Sequence, residues 1–184
     1  MLYSFINKVR RYVLKRKKEV YLNRLVQRGL TLGKNVEIID TFFFDPSHCF
    51  LISIGDNTTI CPNVRLIAHD ASTKKYLGYT KIGKIDIGKN CFIGDSVKIL
   101  PHVTVGDNCI VGAGAVVTKN IPENCVAAGN PAKVIARTDE YIARIKTINR
   151  NKKIFDKSYF IDRLDENKRR EILSSVADGI GFIV

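Results

Sequence analysis

The chain has 184 residues, 45% of them hydrophobic and 26% charged, with a formal net charge of +12. That length and balance fit one globular domain with appendages, and no apolar run is long enough to span a bilayer. The five cysteines lack CxxC spacing and are odd in number, which argues against a disulfide framework and for reduced core residues in a cytoplasmic protein.

The positive charge is concentrated at the start. Within residues 1–30, Lys8, Arg10, Arg11, Lys15, Arg16, Lys17, Lys18, Arg24 and Arg28 stand against Glu19 alone. Apolar residues (Leu2, Phe5, Ile6, Val9, Val13, Val20, Leu25) are interleaved near helical spacing, so one or two basic amphipathic helices are expected here. No clean apolar stretch with a small-residue cleavage site follows, so a signal peptide is not expected. Two readings of the basic segment stay open. One is peripheral contact with an anionic membrane at the inner face of the cell membrane. The other is a helix packed on its own or a neighbouring subunit with its charges solvated. A nucleic-acid partner is not expected, because no aromatic platform or reading motif accompanies the charge.

From residue 31 a different rhythm begins. Ile87, Ile93, Ile99, Val105, Val111 and Val117 recur at every sixth position, and Ile54, Ile60 and Leu66 show the same beat earlier. Helices repeat apolar positions every three to four residues and strands every two. A sustained period of six predicts a parallel β-helix. Two places before each beat stands a small or β-branched residue: Thr58, Val64, Cys91, Val97, Val103, Cys109 or Ala115. Residues two apart on a strand share a face, so both classes point inward. Asp56-Asn57, Lys89-Asn90 and Asp107-Asn108 supply turn formers that tolerate left-handed geometry.

The rhythm breaks after Leu66. Ser72, Gly78 and Lys84 occupy the next beats, so residues 69–84 are expected to leave the coil as a loop. Such polar excursions from a rigid scaffold often carry function. This one starts at His69. Beyond about residue 138, DEYIARIK and IDRLDENKRREILSSV have helical spacing and i,i+4 charge complementarity. They are expected to form a helical extension over 138–184 that caps the open end of the coil.

The run IGKNCFIGDSVKILPHVTVGDNCIVGAGAVVTKNIPENCVAAGNPAKVI resembles the hexapeptide-repeat acyltransferases, with GAGAVVTKNIP…AAGNPAKVI the specific part. It looks closest to the branch of maltose, galactoside and nodulation-factor O-acetyltransferases and surface-polysaccharide O-acetyltransferases. The resemblance covers roughly residues 31–137. It implies an all-β fold, a left-handed parallel β-helix, assembled as a homotrimer with sites between subunits. It also implies acetyl-coenzyme A as co-substrate and no metal.

The resemblance makes His69, at the root of the loop, the general base. An acceptor hydroxyl is a poor nucleophile, and neutral imidazole can take its proton near neutral pH. Asp70 is a poor partner, since adjacent side chains on an extended chain point apart. Asp45, one coil earlier, is a candidate to orient His69 or to bind the acceptor. His48 is a candidate for lining the same cleft. For the coenzyme, the resemblance points to Phe92, Asp95, Ala113, Thr118 and Lys119, and to Lys133 near its phosphates. A zinc enzyme of the same fold is disfavoured, because His48, His69 and His102 do not visibly converge.

These features predict an O-acetyltransferase acting on a sugar hydroxyl in capsule, lipopolysaccharide or exopolysaccharide synthesis, with a free, nucleotide-linked or lipid-linked acceptor. Two alternatives are acetylation of an amino sugar or antibiotic, and a catalytically inactive β-helix scaffold at the membrane surface.

Overall fold

The computed structural model describes residues 2–150 and 152–184, with side chains for residues 13, 14, 16–150 and 152–184. It divides into two compact units, residues 1–138 and residues 139–184. The amphipathic pattern expected of Leu2 through Arg11, and the charge of Lys15, concern side chains outside the described residues.

The first unit opens with one helix, α1 (Leu2–Gln27). Its end is fixed by a left-handed Gly29 (φ +102°), with Gly29 N–H donating to Val26 O at 2.9 Å and Leu30 N–H to Leu25 O at 3.0 Å. This is the Schellman pattern, and the hydrophobic contact that usually accompanies it is available because Leu25 and Leu30 are both buried. Tyr21 stacks on Phe42 at 5.6 Å, so the helix is anchored on the first coil.

Four coils follow, each of three short strands. They are β1 (Thr31–Leu32), β2 (Glu37–Ile38) and β3 (Phe42–Phe44); β4 (Ile52–Ile54), β5 (Thr59–Ile60) and β6 (Val64–Leu66); then, after an excursion holding β7 (His69–Asp70), helix α2 (Lys74–Leu77) and β8 (Lys81–Ile82), β9 (Ile85–Ile87), β10 (Phe92–Ile93) and β11 (Lys98–Ile99); and last β12 (Val103–Val105), β13 (Ile110–Val111) and β14 (Val116–Val117). Equivalent strands stack into three parallel faces, β1-β4-β9-β12, β2-β5-β10-β13 and β3-β6-β11-β14. The result is a parallel β-helix.

The register explains the six-residue beat. Ile60 pairs with Ile93 and Ile93 with Val111, while Leu66 pairs with Ile99 and Ile99 with Val117. These columns are buried, and so are the small residues two places before them. Truncating one link, as in Ile93→Ala, costs about 2–5 kcal/mol. Thr58 is a polar residue in the interior of the coil. Its hydroxyl donates to Gly88 O at 2.9 Å and accepts from Cys91 N–H at 3.1 Å, so no bonding capacity is wasted.

One corner of the prism is an asparagine ladder. Asn35, Asn57, Asn90, Asn108 and Asn124 all take left-handed conformations, with φ from 53° to 57°. Each of the first four donates its side-chain amide to the carbonyl of the next, at 3.0–3.3 Å. Asparagine tolerates this region better than other side-chain-bearing residues, and the ladder rewards it.

Past β14, β15 (Cys125–Ala128) adds to the second face. Then β16 (Lys133–Arg137) turns back antiparallel along it, covering that strand edge within the first unit. In the second unit, α3 (Thr138–Asn149) begins at the boundary, β17 (Ile154–Phe155) pairs in parallel with β18 (Phe182–Ile183), and α4 (Glu166–Ser175) is capped by Asp165. Among the described residues no helix is long and apolar enough to cross a membrane.

Candidate active site

The site is assembled at the corner where the third face turns toward the first. Phe44 pairs with Leu66, and Asp45 N–H donates to Leu66 O at 2.9 Å. This sets Asp45 one coil below the root of the excursion. Its side chain is fully buried. The Oδ1 atom accepts from Ser47 N–H at 3.1 Å and His48 N–H at 3.3 Å. The Oδ2 atom meets Nδ1 of His69 in a short hydrogen bond. A carboxylate can only accept, so Nδ1 carries the proton and Nε2 keeps its lone pair.

The segment bearing Asp45 is braced from behind. Arg28 Nη1 donates to Pro46 O at 3.4 Å, and the Cys49 thiol donates to Leu25 O at 3.6 Å. The end of α1 thus holds the loop that holds Asp45. His48 lies on the same loop. Its ring centre is 5.1 Å from that of His69, and its Nδ1 is 3.8 Å from Asp45 Oδ2. The expectation that the histidines do not converge needs correction for this pair. His48 and His69 do meet, around a shared carboxylate, because one coil advance brings the two segments together. His102 is not part of the cluster; it stands at a coil corner with φ +65°.

The excursion is a hairpin, with His69 paired to Ile82 and Asp70 to Lys81. Asp70 is turned to other work. Its carboxylate pairs with Lys81 Nζ at 2.6 Å and accepts from Ser72 N–H at 2.8 Å. The Lys81 ammonium, helped by the Ser72 hydrogen bonds, holds that carboxyl below the usual carboxylate range.

The coenzyme candidates do not fall together. Thr118 and Lys119 follow β14 at the same corner as His69, two coil steps away, or about 10 Å at about 4.8 Å per step. Phe92 lies on the outer side of the second face, and Asp95 and Ala113 lie at the next corner, between the second and third faces. There the coils approach closely. A Cβ on Gly94 would stand 2.7 Å from Ala113 N, whereas one on Gly114 would meet nothing within 4 Å. Ala113 and Gly114 therefore leave a bare, exposed shelf. Lys133 is exposed at the start of β16. One chain does not gather all six residues around His69.

Known proteins place this geometry. Residues 84–119 match the model described as bacterial transferase hexapeptide (six repeats). A galactoside acetyltransferase solved in complex with coenzyme A shares 32% identity, covering 65% of this chain and 70% of its own, with a TM-score of 0.52. The chain belongs to the hexapeptide-repeat acyltransferase family. A maltose O-acetyltransferase from Clostridium difficile 630 is likewise 32% identical over 61% of this chain and 72% of its own, with a TM-score of 0.50. Protein CapG of Staphylococcus aureus is 35% identical over 83% of this chain and 94% of its length. The galactoside O-acetyltransferase of Escherichia coli K12 is 39% identical over 62% of this chain, but the match spans 54% of that protein. The chain thus spans about half the length of several acetyltransferases in its family and nearly all of CapG.

Sequence reasoning alone did not reveal the backbone cage on Asp45 Oδ1 or the brace from α1. Asp45 itself was a candidate from the sequence, and the register shows why. With Phe44 and Leu66 in register, Asp45 falls opposite Ile67, two residues short of His69.

Proposed function

We propose that this protein is an acetyl-coenzyme A-dependent O-acetyltransferase that acts on a sugar hydroxyl in surface-polysaccharide synthesis, on a left-handed parallel β-helix. The observation that carries the reading is the His69–Asp45 pair. It leaves Nε2 of His69 ready to accept a proton, while Asp45 stabilises the imidazolium that forms. Bound acetyl-coenzyme A supplies an activated acyl carbon and a good thiolate leaving group. Nε2 takes the acceptor hydroxyl's proton as the oxygen attacks, and later returns that proton to solvent or to the departing sulfur. Positioned base catalysis of this kind contributes about 10²- to 10⁴-fold.

Asp95, Ala113 and Phe92 would flank the pantetheine arm, Thr118 and Lys119 would hold its far part, and Lys133 would meet phosphate as a point charge. Because the shelf and His69 lie at different corners, the reading includes a homotrimer in which one subunit's shelf faces its neighbour's His69. His48 lines the acceptor side. The enzyme is assigned to the cytoplasm, with α1 against the anionic inner face of the membrane, where lipid-linked acceptors stand. Exposed Val13 (42%) and Val20 (62%), set beside Lys17 and Arg24, support that contact.

The test is product identity. Incubation with acetyl-coenzyme A and a panel of free, nucleotide-linked and lipid-linked sugars, read by NMR, is expected to give an O-acetyl ester. An acetamide on an amino sugar or antibiotic replaces the O-transfer reading. Coenzyme A binding without product on any acceptor replaces it with the scaffold reading.

A further inference from the structure

We propose that Asp45, His48 and His69 form a site for one divalent transition-metal cation of the zinc class, and that occupying it switches the base off. The second half rests on the reading of His69 as the base, while the first does not.

Three donor atoms, one each from Asp45, His48 and His69, lie within 4.8 Å of one another. Both imidazoles aim Nδ1 at the same carboxylate oxygen, Asp45 Oδ2. Nitrogen and oxygen ligands sit about 2.0–2.2 Å from zinc, which separates ligands of a tetrahedral site by about 3.4 Å. The 3.8 Å from His48 closes by a few tenths of an ångström to reach that spacing, and the short His69 contact opens to it as the cation takes the place of the shared proton.

Two further observations point to a ligand. Nδ1 of His48 is buried and has no hydrogen-bond partner. Oδ1 of Asp45 is already fixed by two backbone amides, leaving Oδ2, which faces both imidazoles, as the donor; such hydrogen-bonded carboxylates are what orients ligands at metal centres. Both side chains remain partly exposed, His69 by 36% and His48 by 28%, so the cluster lies near the surface and not sealed in the coil interior. Two imidazoles and one carboxylate select zinc, cobalt or nickel over magnesium or calcium.

Occupancy has a chemical consequence. Without metal, the neutral ring carries its proton on Nδ1 and accepts at Nε2. With metal on Nδ1, that one proton relocates through solvent to Nε2. The nitrogen that accepted now donates, and no lone pair remains for the hydroxyl proton.

The experiment is a Co²⁺ titration of the full chain, followed by visible absorption. One Co²⁺ per chain is expected, with a tetrahedral band displaced by Zn²⁺ and not by Mg²⁺. All five thiols are buried, so thiolate charge-transfer absorption is not expected. His48→Ala, His48→Gln and Asp45→Asn should each weaken binding at least about tenfold, with circular dichroism confirming that the variants fold. Zn²⁺ should raise the melting temperature of the wild type and not of His48→Ala. No band in the wild type, a thiolate band, or an equal midpoint in folded variants overturns the site. Zn²⁺ is also expected to suppress acetyl transfer at the midpoint of the Co²⁺ displacement, reversibly with chelator. Bound metal with undiminished transfer overturns the switch. If metal-free enzyme transfers acetyl to nothing, the functional reading fails instead, and the spectrum decides the site.

Discussion

Replacing Asp45 with asparagine separates the geometric role of the carboxylate from its electronic one. Oδ1 accepts two backbone N–H groups, from Ser47 and His48. Those donors hold the oxygen of the substituted carboxamide in the same place, which turns its NH₂ toward Nδ1 of His69. A donor now faces Nδ1, so the ring accepts there and carries its proton on Nε2. The base is lost while the fold is kept. The comparable change in a serine-protease triad lowers kcat by about 10⁴-fold, and general-base catalysis spans about 10²- to 10⁴-fold. We therefore expect Asp45→Asn to lower kcat by about 10²- to 10⁴-fold, or about 3–5 kcal/mol of transition-state stabilisation, with little change in KM. Asp45→Ala should do the reverse in rank. Water entering its cavity can still accept from Nδ1–H, so more activity survives. The part-buried Ser47 N–H, however, loses its acceptor at about 1–3 kcal/mol, while His48 N–H keeps only Asp45 O at 3.3 Å, so more stability is lost. Steady-state kinetics and urea unfolding on both variants read the crossing directly. Asp45→Asn with kcat within about threefold of wild type would show that the carboxylate does not set the tautomer.

Other expectations follow from the same geometry. Asn90→Ala removes two rungs of the ladder and puts alanine at φ 53°, so unfolding free energy should fall by about 2–4 kcal/mol in urea titration. Gly94→Ala forces a Cβ to 2.7 Å from Ala113 N and 2.8 Å from Val111 O, and should cost about 1–3 kcal/mol or more in thermal melts. Lys133→Ala should raise KM for acetyl-coenzyme A and leave kcat nearly unchanged, because a phosphate contact remote from the reacting carbon contributes uniform binding.

The coil itself was legible because its rule is arithmetic. Ile87 through Val117 announce the period, and their pairing as columns is the physical reason for it. The excursion was legible as a failure of that rule at Ser72, Gly78 and Lys84, but its hairpin pairing was not. What surrounds His69 was harder to read. Coil-to-coil offset is 22 residues from Phe44 to Leu66 but 33 from Leu66 to Ile99, since the excursion is inserted between. Histidines read one by one therefore show no convergence, although His48 and His69 share Asp45. The cage on Oδ1 was hidden for another reason. It is built from backbone amides, which every residue has and no sequence pattern marks. Splitting of the coenzyme candidates follows from the prism's cross-section, which a linear motif such as GAGAVVTK does not display.

The most direct test is thiol release from acetyl-coenzyme A across the sugar panel, with wild type and His69→Ala side by side. The account predicts acceptor-dependent release in the wild type, reduced about 10²- to 10⁴-fold in the variant at unchanged coenzyme A affinity. Equal release in both proteins would remove His69, and with it the Asp45 pair, from the chemistry.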